Sequence, residues 1–155
     1  MREALTRSKR ILTFLLETDT MWPIPILFID ASTLFRKLAA GVLQRHFASR
    51  IMLAAVHGAW HPAEVSVLEP QPQVVLLGLG ADGMLDPALL NAIQQALPGI
   101  PVVILGYLDD DAYSSAALTA GAAAFISKDS LHTELLPVLH QVVARPSEIA
   151  HWRHP

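Results

Sequence analysis

The 155-residue chain contains no cysteine. This excludes a disulfide framework, a thiolate zinc site and a cysteine nucleophile, and it fits a reducing compartment. Charge is also scarce: 16% of the residues are Asp, Glu, Lys or Arg, and the formal net charge is −3. Without a long basic run there is no electrostatic footprint for nucleic acid, so none is expected to bind. No apolar run approaches the roughly 20 residues that span a bilayer. The amino terminus has the charge order of a secretory signal, with Arg2, Arg7, Lys9 and Arg10 ahead of Ile11 to Leu16. Its apolar part is short, however, and Glu17 and Asp19 follow it where a cleavage signal would have small residues. A soluble cytoplasmic protein without membrane contact is expected.

What the chain does have is hydrophobic residues, 52% of the total, enough to bury one sizeable core in one domain. Residues 1–22 read as an extension, with Leu5, Leu12, Leu15 and Leu16 on one side of an amphipathic helix. Trp22-Pro23-Ile24-Pro25 then breaks any helix, because proline lacks an amide donor and restricts its predecessor. Residues 23–145 carry the domain, and 146–155 form a tail, in which His151, Trp152, Arg153 and His154 read as a frayed end.

The punctuation between Ile26 and Ala144 is regular. Short apolar runs at Ile26–Asp30, Ile51–Val56, Val74–Leu77, Pro101–Gly106 and Ala123–Ser127 predict strands. Helical patterns separate them: Ser32-Thr33 caps one reaching about Phe47, and Pro62 and Pro70 bracket a short one. Asp86-Pro87 opens a third that Pro98-Gly99 ends, and Asp109-Asp110-Asp111 opens a fourth that Gly121 ends. Asp129 or Ser130 opens the last, reaching about Ala144. The alternation predicts an α/β domain with a mainly parallel sheet covered on both faces. Right-handed crossovers place all the strand carboxyl ends on one edge, where ligands of such sheets sit. That edge collects Asp30, His57, Gly78, Gly106 and Lys128.

These residues carry a family resemblance. Ile26 to Leu43, with Thr33-Leu34-Phe35-Arg36, resembles the opening of a response-regulator receiver domain of the LuxR/NarL branch. Gly121 to Asp129, ending Phe125-Ile126-Ser127-Lys128-Asp129, resembles that family's fifth strand and the lysine after it. The match covers about residues 24–144 without large gaps. It implies a flavodoxin-like, doubly wound five-stranded parallel sheet in the order 2-1-3-4-5, here with an extra amino-terminal helix.

In that family an acidic pair after strand one helps to hold Mg²⁺, and an aspartate after strand three accepts the phosphoryl group. A hydroxyl residue after strand four contacts that group, and the lysine neutralises it. Carried over by position, Asp30 matches the first acid and Ala31 stands for the second. Gly78 stands at the acceptor position, Gly106 at the hydroxyl position, and Lys128 is kept. Phe125 matches the aromatic switch, and Ala81-Asp82 stand where the family has Met-Pro. An aspartyl phosphate needs a carboxylate nucleophile, and glycine offers none. One remaining acid is a poor Mg²⁺ site, so no cofactor is expected and metal binding should be weak or absent.

Other residues have blander readings. Asp82 is expected to be a solvated turn residue before Gly83, and Lys128 to pair with Asp30. His57 and His61 flank Trp60, but Gly58 and Pro62 argue against one continuous helix, and two imidazoles alone fall short of a metal site. Pro137 falls inside the last helix and is expected to kink it. Ala116, Ala117 and Ala120 on helix four either allow close approach of a partner or pack internally. Receivers commonly use the face of helix four, strand five and helix five for partners, so Phe125, Ala116, Ala120 and Pro137 mark a candidate interaction face.

The expected role is therefore a phosphorylation-independent receiver, not an enzyme, acting as a protein-interaction module in bacterial signalling or transcriptional control, with a homodimer expected. In the family such domains often precede a helix-turn-helix output domain, which the stretch from Arg145 to Pro155 is too short to hold. Two alternatives stand beside it: a receiver phosphorylated at Asp30 or Asp82, and a sensor that takes a small ligand in the emptied pocket.

Overall fold

The computed structural model describes residues 23–107 and 111–152, with side chains through Val143. The predicted amino-terminal helix lies outside the described residues. Five strands are present: β1 (Ile24–Ile29), β2 (Ile51–His57), β3 (Val74–Gly78), β4 (Val102–Gly106) and β5 (Ala124–Ser127). Helices α1 (Thr33–Phe47), α2 (Pro62–Ser66), α3 (Pro87–Ala96), α4 (Asp111–Thr119) and α5 (Leu131–Trp152) alternate with them. All neighbouring strand pairs are parallel. The sheet order is β2-β1-β3-β4-β5, the flavodoxin-like order that the resemblance implied.

Strands and helices arise where their local chemistry places them. Val74 to Leu77 are fully buried because β3 is central and covered on both faces. Alternate residues of each strand feed two cores. Ile26, Phe28, Leu76 and Leu105 pack with Leu43 and Phe47 of α1 and Leu135 and Leu139 of α5. Leu27, Ile29, Leu77 and Ile104 pack with Val65 of α2, Leu90 and Ile93 of α3 and Ala117 of α4. Helix starts follow their caps: Ser32 Oγ accepts from Phe35 N at 3.1 Å, and Asp86 Oδ1 accepts from Ala88 N at 3.0 Å ahead of Pro87.

Three boundaries differ from expectation. Strand β1 begins at Ile24 and takes in Pro25, read from the sequence as part of a breaker. Pro25 is tolerated because β1–β3 pairing starts only at Ile26, so its missing amide faces a side where no ladder has begun, while its carbonyl accepts from Gln73 N at 2.8 Å. After β5 a single 3-10 turn, Lys128–Ser130, precedes α5, which opens at Leu131 rather than at Asp129 or Ser130. Helix α5 then runs to Trp152, past the end expected near Ala144 and into the stretch read as a tail. Pro137 sits within it on an exposed side, and helix is assigned on both sides of it.

The register aligns the strand ends. Ile29 lies beside both His57 and Leu77, Gly78 beside Leu105, and Gly106 beside Ser127. The residues just beyond these pairs therefore meet at one edge.

Truncating a residue that feeds a core should test this packing. Leu76→Ala is expected to cost about 2–5 kcal/mol, read as a lower urea midpoint with an unchanged slope. Leu118→Ala, on the exposed side of α4, should stay within about 0.5 kcal/mol of the parent.

Candidate functional site

The site is built from the end of β1 outward. Asp30 follows the last residue of β1 and is 2% exposed. Its backbone amide donates to His57 O at 3.0 Å, which ties it to the end of β2. Its Oδ1 accepts from Ser32 N at 2.7 Å, so the turn into α1 holds one carboxylate oxygen. Arg36, one turn into α1, donates from Nη1 to the Asp30 carbonyl at 2.6 Å and from Nη2 to Thr33 Oγ1 at 3.3 Å. Both ends of Asp30 are thus fixed by local structure.

The second carboxylate oxygen meets the far side of the sheet. Lys128, in the 3-10 turn after β5, donates from Nζ to Asp30 Oδ2 at 2.7 Å and to Leu79 O at 2.9 Å. The two side chains are 2% and 3% exposed. Phe35 and Tyr107 complete the surroundings of the ammonium, their ring centroids 4.2 and 4.1 Å from Nζ. The rings meet each other edge-on, 6.4 Å apart and 63° from parallel. A desolvated ammonium thus has a carboxylate, a carbonyl and two ring faces around it, each favouring positive charge.

Gly78 explains how the carboxylate reaches that place. A Cβ built on Gly78 would lie 1.7 Å from Asp30 Oδ2 and 2.6 Å from its Cγ. Any side chain at Gly78 would therefore overlap the carboxylate where it now sits. Gly106 repeats the pattern at the end of β4. A Cβ there would lie 2.6 Å from Phe125 Cζ and 2.8 Å from Cε2, so the half-buried ring of Phe125 occupies the space that a side chain at Gly106 would need.

The edge residues collected from the sequence thus divide. Asp30, Gly78 and Lys128 converge, as the pairing of Lys128 with Asp30 required, and Gly106 lies one strand away against Phe125. Ala31 is exposed and supplies no side-chain donor or acceptor. His57 faces α2: its Nε2 is 3.6 Å from Glu64 Oε2, and its ring is 5.5 Å from that of His61. Its Nδ1 is buried without a hydrogen-bond partner among the described residues. No group of three or more His, Cys, Asp or Glu residues able to hold a metal ion occurs among the described residues. Asp82 is a turn residue whose Oδ1 accepts from Met84 N at 3.0 Å, and it is exposed. On α4, Ala117 is buried in the core and Ala116 is exposed, as is Ala120 just past the helix end, so internal packing accounts for Ala117 alone. Phe35 and Tyr107 were not singled out as site residues, although Phe35 lies one turn into α1 and Tyr107 directly follows Gly106.

No protein-family model and no curated protein matches the sequence. Solved structures do. The signal receiver domain of NarL from Mycobacterium tuberculosis is 26% identical, with a TM-score of 0.58 over 78% of this chain and 96% of that one. The chain has the fold of a response-regulator receiver domain. The CheX–CheY–BeF3–Mg complex from Borrelia burgdorferi matches at 18% identity and a TM-score of 0.64, over 81% of this chain and 92% of that one. RcsB from Salmonella typhimurium matches at 14% identity and a TM-score of 0.60 over 79% of this chain, which spans 65% of the RcsB chain. Within the receiver fold, no described helix is long and apolar enough to cross a membrane.

The pair can be tested by breaking it on one side. Lys128→Met leaves the Asp30 carboxylate buried without its counter-charge and is expected to cost about 3–5 kcal/mol. The double change Asp30→Asn, Lys128→Met should recover part of that loss in the same denaturant titration, since no uncompensated charge remains. Gly78→Ala places a methyl group on the Asp30 carboxylate and should lower the unfolding midpoint; an unchanged midpoint would show that the carboxylate moves aside at no cost.

Proposed function

We propose that this receiver fold works as a protein-interaction module in signal transduction and does not depend on phosphorylation. The observation that carries this reading is the Asp30 carboxylate lying where a side chain at Gly78 would begin, held there by Lys128. By the family resemblance, Gly78 is the acceptor position, and phosphoryl transfer to a receiver needs a carboxylate nucleophile there. Here that position has no side chain, and a neighbouring acid fills its space.

The residues do not fit the Mg²⁺ ion that the resemblance associates with this pocket. Oxygen ligands are what such an ion requires. Asp30 has one oxygen on a backbone amide and the other on an ammonium group, while Ala31 and Gly78 add no side-chain oxygen. The Lys128 ammonium already supplies the positive charge that balances Asp30.

The alternative acceptors are less well suited. Asp30 is buried and each of its oxygens already accepts a hydrogen bond, so a phosphodonor could reach it only by displacing the groups that surround it. Asp82 stands on an exposed turn with its carboxylate bonded to the backbone two residues on. A small-ligand site in the same pocket meets the pair itself and the rings of Phe35 and Tyr107, which occupy the space around Lys128. With the pocket filled by its own side chains, we infer one resting arrangement, biased by a protein partner or a second copy rather than by phosphate. Exposed Ala116 of α4 and Ala120 just after it suit close approach of that second copy.

Incubation with Mg²⁺ and acetyl phosphate, followed by intact-mass measurement, tests the central claim. The mass is expected to stay that of the unmodified chain; a stable phosphoryl adduct on Asp30 or Asp82 would overturn it. For the homodimer, light scattering is expected to give twice the chain mass, and a monomer at high concentration would remove that part.

A further inference from the structure

Strand β2 closes one edge of the sheet, and its outer side meets no pairing strand among the described residues. Open edges are templates for unwanted pairing, and proteins blunt them with charged residues, proline or very short strands, or cover them with a helix or loop. Strand β2 uses none of the first three: Ile51 to His57 is seven residues long, without proline, lysine, arginine or acid. A register shift bends its pairing with β1 between Ile26 and Leu27, but Ile51, Met52 and Leu53 lie ahead of the shift, in register with Ile24, Pro25 and Ile26. Beside these three residues a cavity of about 210 Å³ opens, lined also by Leu43, Gln44 and Ala48 at the end of α1.

The chain enters the domain at the same place. Ile24 N donates to Arg50 O at 2.9 Å, and Ile24 lies beside Ile51, one strand spacing of about 4.8 Å away. Residues 1–22 lie outside the described residues, and their sequence carries Leu5, Leu12, Leu15 and Leu16 at helical spacing. Residues 17–23 join this stripe to β1 and span up to about 23 Å when extended. The cavity is therefore well within reach. Glu17 and Asp19 fall in that join, and α1 ends beside the cavity with exposed Arg45 in its last turn.

We propose that the amino-terminal segment of this chain folds back as a helix over the start of β2, seating Leu12, Leu15 and Leu16 on the cavity and bringing Glu17 and Asp19 near Arg45. One contact then buries the leucine stripe, fills the cavity and covers the open edge. The segment's own chain is the favoured donor. A short tether holds it at an effective concentration on the order of millimolar, against which any separate partner must compete. A join long enough to reach the cavity of its own domain also removes the strain that drives exchange with a second copy. This surface lies at the amino ends of the strands, away from Asp30 and Lys128, so the inference does not rest on how the pocket treats phosphate.

Because the chain has no cysteine, a nitroxide on Thr13→Cys labels a single site of the full chain, one position off the stripe. Broadening of amide signals is expected to be strongest at Gln44, Ala48, Met52 and Leu53, with α3 and α4 on the other face of the sheet little affected. Leu12→Asp with Leu16→Asp should abolish that pattern and speed hydrogen exchange of the outward-facing β2 amides at least roughly tenfold, leaving β3 and β4 unchanged. Ala48→Trp fills the cavity from the domain side at an exposed position, and it too should release the segment. The β4 and β5 signals of each variant are expected to stay in place, which separates loss of the contact from loss of the fold.

Broadening centred on other elements, or absent from the start of β2, overturns the proposal, and so does a pattern that survives either variant. In an equimolar mixture, an isotope-labelled chain without nitroxide is expected to stay sharp beside a nitroxide-labelled chain without isotope. Broadening of the first chain at Met52 and Leu53 would place a second copy's segment on the cavity and overturn the proposal as well.

Discussion

A buried ion pair between the two sides of the sheet is the constraint on which the pocket depends. Lys128 and Asp30 are far apart in sequence and meet at 2.7 Å with little water around either. Removing two charges from water is costly, and their attraction offsets that cost only when the remaining donors and acceptors are also satisfied. Here Ser32 N takes one carboxylate oxygen, Leu79 O accepts from the ammonium, and Phe35 and Tyr107 present ring faces to it. The pair is therefore better described as a device that specifies one local arrangement than as a large source of stability.

Glycine makes that arrangement possible at both central strand ends. Gly78 leaves room for the Asp30 carboxylate, and Gly106 leaves room for the Phe125 ring. In each case a neighbouring side chain occupies the volume that a Cβ would need, so no hole is left beside the glycine. Close packing of protein interiors favours this outcome, because a void forfeits contacts that a rearranged side chain can recover. It also couples the two positions to different parts of the molecule: Gly78 to the ion pair, and Gly106 to β5 beside α4.

The remaining surface is uneven in its chemistry. Between Ile24 and Val143 the lysines and arginines other than Lys128 lie on α1 and the turn after it, near exposed leucines, and the acids other than Asp30 lie on later elements. The outer helices differ: α1 presents Lys37 and Arg45 beside exposed Leu34 and Leu38, whereas α4 presents Asp111, Ala116 and Leu118.

Much of the fold was legible without coordinates. Alternating apolar runs and capped helices are short-range patterns, so β3, α1 and α3 are found close to their expected limits, as is the edge that gathers Asp30, Gly78 and Lys128. Boundaries set by more distant partners were less legible: Pro25 enters β1 because β3 begins one residue later in register, and α5 runs on past Ala144. The sequence by itself determined which chemical groups exist at the strand ends, above all that Gly78 carries no carboxylate. Only the tertiary structure decided what fills the space. The overlap of Asp30 with a Cβ at Gly78, the ring of Phe125 over Gly106 and the Phe35–Tyr107 enclosure of Lys128 depend on distances between strands and loops that no local pattern encodes.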